Sequence, residues 1–248
     1  MELQTVTDVF CDSFAFGRSF THPFQVNRFG NARVLRDAPR RSGPERGGEI
    51  VICTDSAQEA IQALLEHGRS RDTGCVITSD LVTNRALVDR VKAEGYRFGS
   101  TEAVFLRDLE NIPEAQSEWT IRRVTTKEDA DRLALAAKSR QILSSHLDGA
   151  RPSVRAYVAE KEGEFVGWVR SIHVHPFEAY PSNLYVPLEH RRRGIATALM
   201  REMLLDDRRH GAQRSVLLAS HAGAKLYPQL GYKQVGTLHL FIPRRHRG

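Results

Sequence analysis

A chain of 248 residues with 41% hydrophobic side chains can bury a sizeable core, as one large domain or two small ones, which sets it among ordinary globular proteins. Thirty-six Lys and Arg against 30 Asp and Glu give +6, a balance that favours an anionic ligand without establishing nucleic acid as a partner. Cys11, Cys53 and Cys75 stand far apart with no CxxC or His-rich company, which suggests neither a disulfide framework nor a zinc site, and neither a signal peptide nor an apolar run of about 18 residues is present, so a cytoplasmic enzyme or binding protein without a membrane partner is expected.

Phe10, Phe14, Phe16, Phe20, Phe24 and Phe29 give the first segment too much aromatic surface for a disordered tail, so it is expected to pack. After the loop RRSGPERGG, EIVICTD reads as a strand and SAQEAIQALLEHG as a helix with a Ser56/Glu59 capping box and Gly68 as its stop. Strand CVITSD, helix LVTNRALVDRVKAEG and strand YRFGSTEAVFLRDL complete a β-α-β-α-β pattern.

The polar stretch at 110–118, with Pro113 and no apolar periodicity, marks a linker, so the expected partition is 1–110, 111–118 and 119–248. WTIRRVTTKEDADRLALAAKSRQIL reads as a strand and a helix with a Thr125/Glu128 capping box. RAYVAEKEGEFVGWVRSIHVH is a hairpin turning at Glu162-Gly163, and SNLYVPLEH is a strand that Pro187 ends. The next helix puts Ile195, Leu199 and Met203 on one i, i+4 row, with Met200 and Leu204 beside them. SVLLAS is a strand, HAGAKLYPQL a short helix and YKQVGTLHLFIP the last strand, giving an α/β chain with a mixed sheet. Gly95-Tyr96 with Phe105, and Gly231-Tyr232 with Phe241, recur at the same spacing. That suits two pseudo-repeated halves, although unrelated α/β segments can also share a glycine after a helix and an aromatic in a strand.

Between strand and helix lies HRRRGIATALM, residues 190–200. A helix start offers unpaired N–H groups at the positive end of the dipole, and Gly194 and Ala196 let a bulky anion approach the main chain while Arg191 and Arg193 add charge. The strand NLYV before it can present unpaired edge groups to an extended, amide-containing ligand.

RRRGIA fits the R/Q-x-x-G-x-G/A motif of the GNAT superfamily of N-acetyltransferases, with Arg191, Gly194 and Ala196 at the defining positions. SHAGAKLYPQLGY is similar to that superfamily's N-x-x-A-x-x-L-Y-x-x-x-G-F pattern: Leu226, Tyr227 and Gly231 match, Tyr232 replaces phenylalanine, Ser220 stands for asparagine and Gly223 for alanine. The resemblance covers roughly residues 119–243 and implies a GNAT-like acyl-CoA N-acyltransferase fold. It further implies that Arg191, Arg192, Arg193, Gly194, Ile195, Ala196 and Thr197 grip the pyrophosphate of acetyl-coenzyme A. Main-chain groups of Leu184, Tyr185 and Val186 then pair with the pantetheine arm, with Ser220 as a further hydrogen-bonding contact. Tyr227 matches the tyrosine that protonates the departing thiolate; its other reading is a buried aromatic with one hydrogen bond. Pro187 falls one residue earlier than in the V-x-P version of the pattern.

The implied activity is acetyl transfer to a primary amine by direct attack in a ternary complex, the acceptor being a small molecule, a peptide or a protein. Relatives carry a carboxylate before LYV, where this chain has PSN, which leaves His173, His175, Glu178, Glu189 or water as the base. The two histidines have no third ligand at recognisable spacing, so no metal is expected. The first half has SGPERGGEIVICTD ahead of its helix and no phosphate motif, which suits a degenerate relative that braces the fold or completes the acceptor pocket. Two other readings stay open: a non-catalytic acyl-CoA sensor, and a nucleic-acid-binding module using HRRRG and IPRRHRG.

Overall fold

A computed structural model describes residues 2–112, 117–147, 153–221 and 223–244, so the expected linker and the basic C-terminal run lie partly outside the described residues. In chain order the elements are α1 (Leu3–Arg18), β1 (Phe24–Phe29), β2 (Ala32–Asp37), β3 (Glu49–Cys53), α2 (Ala57–His67), β4 (Thr73–Thr78), α3 (Arg85–Ala93) and β5 (Tyr96–Asp108). They continue with β6 (Ile121–Arg123), α4 (Lys127–Ala136), β7 (Val154–Lys161), β8 (Glu164–Ile172), β9 (Glu178–Tyr185), α5 (Ile195–Arg209), β10 (Arg214–Ala219) and β11 (Lys233–Pro243). Two compact units result: Met1–Leu106 with Leu218–Gly248, and Arg107–Leu217.

The partition departs from the expected 119–248 because β11 pairs antiparallel with both β4 and β5, which assigns the end of the chain to the first unit. The strand order of this unit is β1-β2-β3-β4-β11-β5. Gly95 (φ +87°) and Gly231 (φ +78°) each release a helical turn into a strand that begins at or beside a tyrosine, so the repeated Gly-Tyr pairs do the same local work. The strands they open, β5 and β11, lie side by side, with Phe241 opposite Phe98.

The phenylalanine-rich segment packs as expected, as α1, which buries Val6, Val9, Phe10 and Cys11, and then as half of the β1–β2 hairpin around Gly30-Asn31. Ser56 caps α2 by accepting from the Glu59 N–H, but the Glu59 carboxylate turns to Thr54 and Asn31, so only half of the expected capping box forms. Asn84 caps α3, which leaves Leu81 and Val82 in an exposed turn outside the helix. Among the described residues of HAGAKLYPQL one 3-10 turn forms, at Tyr227–Leu230, because Pro228 in its first turn suits a helix start and not a helix interior.

Beneath these elements His239 is fully buried on β11; its Nε2 accepts from the Asn84 N–H at 2.9 Å, which leaves Nδ1 to donate to the Val76 carbonyl at 3.3 Å. Burial holds its pKa below the usual histidine value. The unfolded chain therefore binds the proton first on acidification, and this contribution to stability, complete at neutral pH, is lost as pH falls below about 6.5. His239→Gln is expected to flatten the urea-midpoint profile between pH 7 and 5 by one proton's worth, about 1.4 kcal/mol per pH unit at most; an unchanged slope refutes the assignment.

The second unit has strand order β10-β9-β8-β7-β6, antiparallel except for β9 and β10. The β7–β8 turn has Glu162 and Gly163 both at positive φ, the type I′ geometry that suits a two-residue hairpin. The cap of α4 is Thr126, accepting from the Asp129 N–H, one residue later than the expected Thr125/Glu128 pair. Asp129 is also gripped by Arg122 on β6, seven residues earlier, a contact between strand and helix that the helix pattern alone does not report. Helix α5 buries Ile195, Leu199, Met200, Met203 and Leu204, and Gly167 on β8 is what lets it close: a Cβ there would meet Ile195 Cγ2 at 2.8 Å.

Candidate functional site

The two strands that bracket α5 part company. β10 pairs with β9 at Arg214↔Glu178 and Ser215↔Ala179, and these are the pairs found among the described residues. The joined end is clasped by an ion pair, Arg214 Nη2 to Glu178 Oε1 at 2.7 Å. Beyond it β9 continues through Pro181, which has no N–H to give a ladder, and among the described residues Ser182 to Tyr185 have no β10 partner in the register.

On its other side β9 carries a bulge. Arg170 faces Ser182 and Trp168 faces Tyr185, so Val169 opposes two residues, Asn183 and Leu184, and Asn183 takes φ +54°. The extra residue re-aims the main chain of Leu184 and Tyr185. Asn183 Nδ2 donates to Gln141 Oε1 at 3.0 Å, which steadies the bulge from the segment after α4. Tyr185 is exposed, stacks on Trp168 at 4.8 Å and lies under the Arg191 guanidinium. Val186 is buried and ends the strand against Pro187.

Residues 188–190 form one 3-10 turn, and the three arginines follow, all exposed. Arg191 is tied back, its Nε donating to the Val186 carbonyl at 2.9 Å, so it fastens loop to strand rather than pointing away. Arg192 (φ +63°) and Gly194 (φ +79°) both take left-handed conformations, a cost borne by a non-glycine residue at Arg192. Gly194 is the N-cap of α5 with no side-chain cap and no acidic residue in the first turn, so the amides of Ile195, Ala196 and Thr197 meet the dipole's positive end without a built-in carboxylate. Ile195 points into the core while Gly194 and Thr197 face outward. Such a turn can hold a phosphate by main-chain hydrogen bonds and neighbouring charge.

The equivalent place in the first unit is built oppositely. β3 and β4 pair over five residues without interruption, and α2 has its own Ser56 cap with Glu59 in the first turn. That helix start is occupied by the chain's own acceptors.

Tyr227 and Ser220 belong to the first unit. Tyr227 is buried against Phe105 and Tyr232, with ring centroids at 5.7 and 5.6 Å, and burial pushes its phenol up to about 12. Ser220 is exposed; its carbonyl accepts from Gly223 and Ala224, and the hydroxyl makes a longer contact to the Gly223 N–H. Of the base candidates, Glu178 is engaged by Arg214, and His173 and His175 lie beyond it in the β8–β9 turn. At about 3.3 Å per strand residue they stand some 20 Å from Tyr185, at the wrong end of β9 for chemistry near the bulge. Burial and the neighbouring Arg155 also lower the pKa of His173. Glu189 is exposed in the turn directly before the arginines. Among the described residues no group of three His, Cys, Asp or Glu could hold a metal ion, and no helix is long and apolar enough to cross a membrane.

Three features here were absent from the sequence reading: the bulge at Asn183, the close approach at Gly167 and the Trp168–Tyr185 stack. A glycine inside the apolar strand FVGWV is a legible sign of close backbone approach. The bulge has no comparable signal.

Residues 152–234 match the acetyltransferase (GNAT) domain model. Among solved structures the fold is similar to a GCN5-related N-acetyltransferase from Kribbella flavida, at 15% identity and TM-score 0.66, covering 98% of this chain and 96% of that one. A putative GNAT-family acetyltransferase from Novosphingobium aromaticivorans aligns at 17% identity and TM-score 0.55, over 96% and 98% of the two chains. A tandem GNAT protein from the clavulanic acid biosynthesis pathway aligns at 15% identity and TM-score 0.51, over 96% and 94%. No curated protein matches the chain. At these identities the likeness establishes the fold.

Proposed function

We propose, from the premise that this chain carries a GNAT acetyltransferase domain, that it moves an acetyl group from acetyl-coenzyme A to a primary amine by direct attack in a ternary complex. The observation that supports this most is the parting of β9 from β10 next to an uncapped α5 start. An extended pantetheine arm suits the free β9 edge at Leu184, Tyr185 and Val186, and a pyrophosphate suits the amides of Gly194 to Thr197 with Arg192 and Arg193 at the rim. The zipped β3–β4 pair and self-capped α2 support coenzyme binding by the second half of the sequence only.

The acceptor nitrogen must arrive neutral, and its proton goes to water or to one of Glu189, Glu178, His173 and His175; Glu189 stands at the phosphate end of the strand and the other three at its far end, which favours water beside the bulge. The motif position of Ser220 suits a coenzyme contact, and that of Tyr227 suits a donor to the departing thiolate. A phenol near 12 stays protonated at every working pH, which suits a hydrogen-bond donor better than a full acid. Tyr227→Phe is therefore expected to lower kcat about tenfold, the worth of one hydrogen bond, with KM for acetyl-coenzyme A and the pH profile unchanged. Equal turnover in the variant removes Tyr227 from the reaction.

Acetyl-coenzyme A should raise the melting temperature, since a ligand at 100 times its Kd stabilises the native state by about 2.7 kcal/mol. Thiol release against a panel of amines then separates an enzyme from a sensor. A flat melting curve, together with salt-sensitive RNA or DNA binding, favours the nucleic-acid reading instead.

A further inference from the structure

We propose that Trp119, in the segment entering β6, is a positioning residue for the phosphate-gripping loop; the proposal rests on the coenzyme reading above. Its indole Nε1–H donates to the main-chain carbonyl of Arg193 at 2.7 Å, across 74 residues of sequence. Trp119 stands two residues ahead of β6, which is paired to β7, and its backbone N–H makes a local turn bond to Ser117 Oγ at 3.1 Å. The indole is thus a strut between the sheet and the loop.

What it grips is the peptide that joins Arg193 to Gly194. In a trans peptide the carbonyl and the following N–H point in opposite directions, and no cis bond occurs among the described residues. Fixing the Arg193 oxygen on the indole therefore aims the Gly194 N–H away from Trp119. Gly194 at φ +79° is free of side-chain restraint and needs such an anchor, since glycine visits many backbone conformations at little cost. Arg191 holds the start of the same turn through the Val186 carbonyl. With Arg191 and Trp119 at its two ends, the loop meets a pyrophosphate with its amides already oriented, which lowers the ordering cost of binding.

The test uses the full chain and two probes measured by calorimetry or NMR titration: coenzyme A, and S-acetylpantetheine, which lacks the pyrophosphate. Trp119→Phe keeps the ring and deletes the donor. The expected result is a three- to tenfold weaker Kd for coenzyme A, the loss of one hydrogen bond, with S-acetylpantetheine bound as by the wild type. A merely structural strut lowers the melting temperature and leaves both affinities unchanged, and that outcome overturns the proposal, as does an equal loss for both probes. Should wild-type protein fail to bind coenzyme A, the coenzyme reading falls and takes this one with it; wild-type binding with an unaffected variant sinks this one alone. If Trp119→Phe does not fold, ADP is titrated into the wild type. The indole N–H resonance of Trp119, identified as the one that survives in Trp168→Phe, is expected to shift. An unmoved resonance refutes the strut.

Discussion

Asp207→Ala is expected to destabilise the second unit by about 3–5 kcal/mol, read as a fall in the urea midpoint, because it removes the fully buried carboxylate that neutralises a buried guanidinium. Asp207 on α5 and Arg155 on β7 are both almost fully excluded from solvent. Arg155 Nη2 donates to Asp207 Oδ1 at 2.5 Å and Ser171 Oγ to the same oxygen at 2.6 Å. Arg155 Nε reaches the Tyr157 hydroxyl at 3.2 Å, and that hydroxyl donates to Asp206. Burial pushes the Asp207 pKa up, against the pull of Arg155 and Ser171, so the carboxylate owes its charge to those partners. Without it the guanidinium keeps Tyr157 and the exposed-side Asp206, which lies 3.4 Å from its Nε but retains partial contact with water. A loss of that size is a large share of the 5–15 kcal/mol that holds a typical domain together. The double change Arg155→Met with Asp207→Leu should recover most of it, since an apolar pair needs no mutual solvation. A single mutant within 1 kcal/mol of wild type refutes the argument.

None of that network is readable in the sequence, where Arg155 and Asp207 are two charged residues 52 positions apart. Readable features are local: the i, i+4 row of Ile195, Leu199 and Met203, the Glu162-Gly163 turn, and the arginine-glycine corner ahead of α5. Each is set by neighbours within one turn or one hairpin. What the local pattern does not carry is set by contacts between elements. The α4 cap is Thr126, and the Asp129 whose N–H it takes also pairs with Arg122 on β6. β11 follows an ordinary strand pattern, yet nothing in its alternation says that it pairs with β4 and β5. The same holds at the candidate site: the loop was legible because glycine and arginine are punctuation, while the β9 bulge and the Trp119 contact arise from pairing across the fold.

Gly194→Val is expected to weaken coenzyme A binding about a hundredfold while leaving the second unit folded. A Cβ at this position meets nothing within 4 Å, so the side chain has room in the protein itself. The cost is in the backbone, because a β-branched residue resists φ +79° by about 1–3 kcal/mol. Relaxing that strain rotates the peptide whose N–H is proposed to meet the phosphate, and an N–H bonded to a charged oxygen is worth about 1.5–3 kcal/mol. The isopropyl group also stands in the open space that an anion must enter. The strain is a cost to folding, whereas the lost N–H bond, up to about 3 kcal/mol, is by itself enough for the roughly 2.7 kcal/mol that a hundredfold change in Kd represents. The measurement is a pair: calorimetric titration with coenzyme A, and a thermal melt without it. Folding can fall by no more than the strain itself, so a variant that melts within a few degrees of wild type yet ignores coenzyme A locates the binding determinant in the loop. Wild-type affinity in that variant refutes main-chain recognition at the start of α5, and the charge of Arg192 and Arg193 alone must then account for any coenzyme that binds.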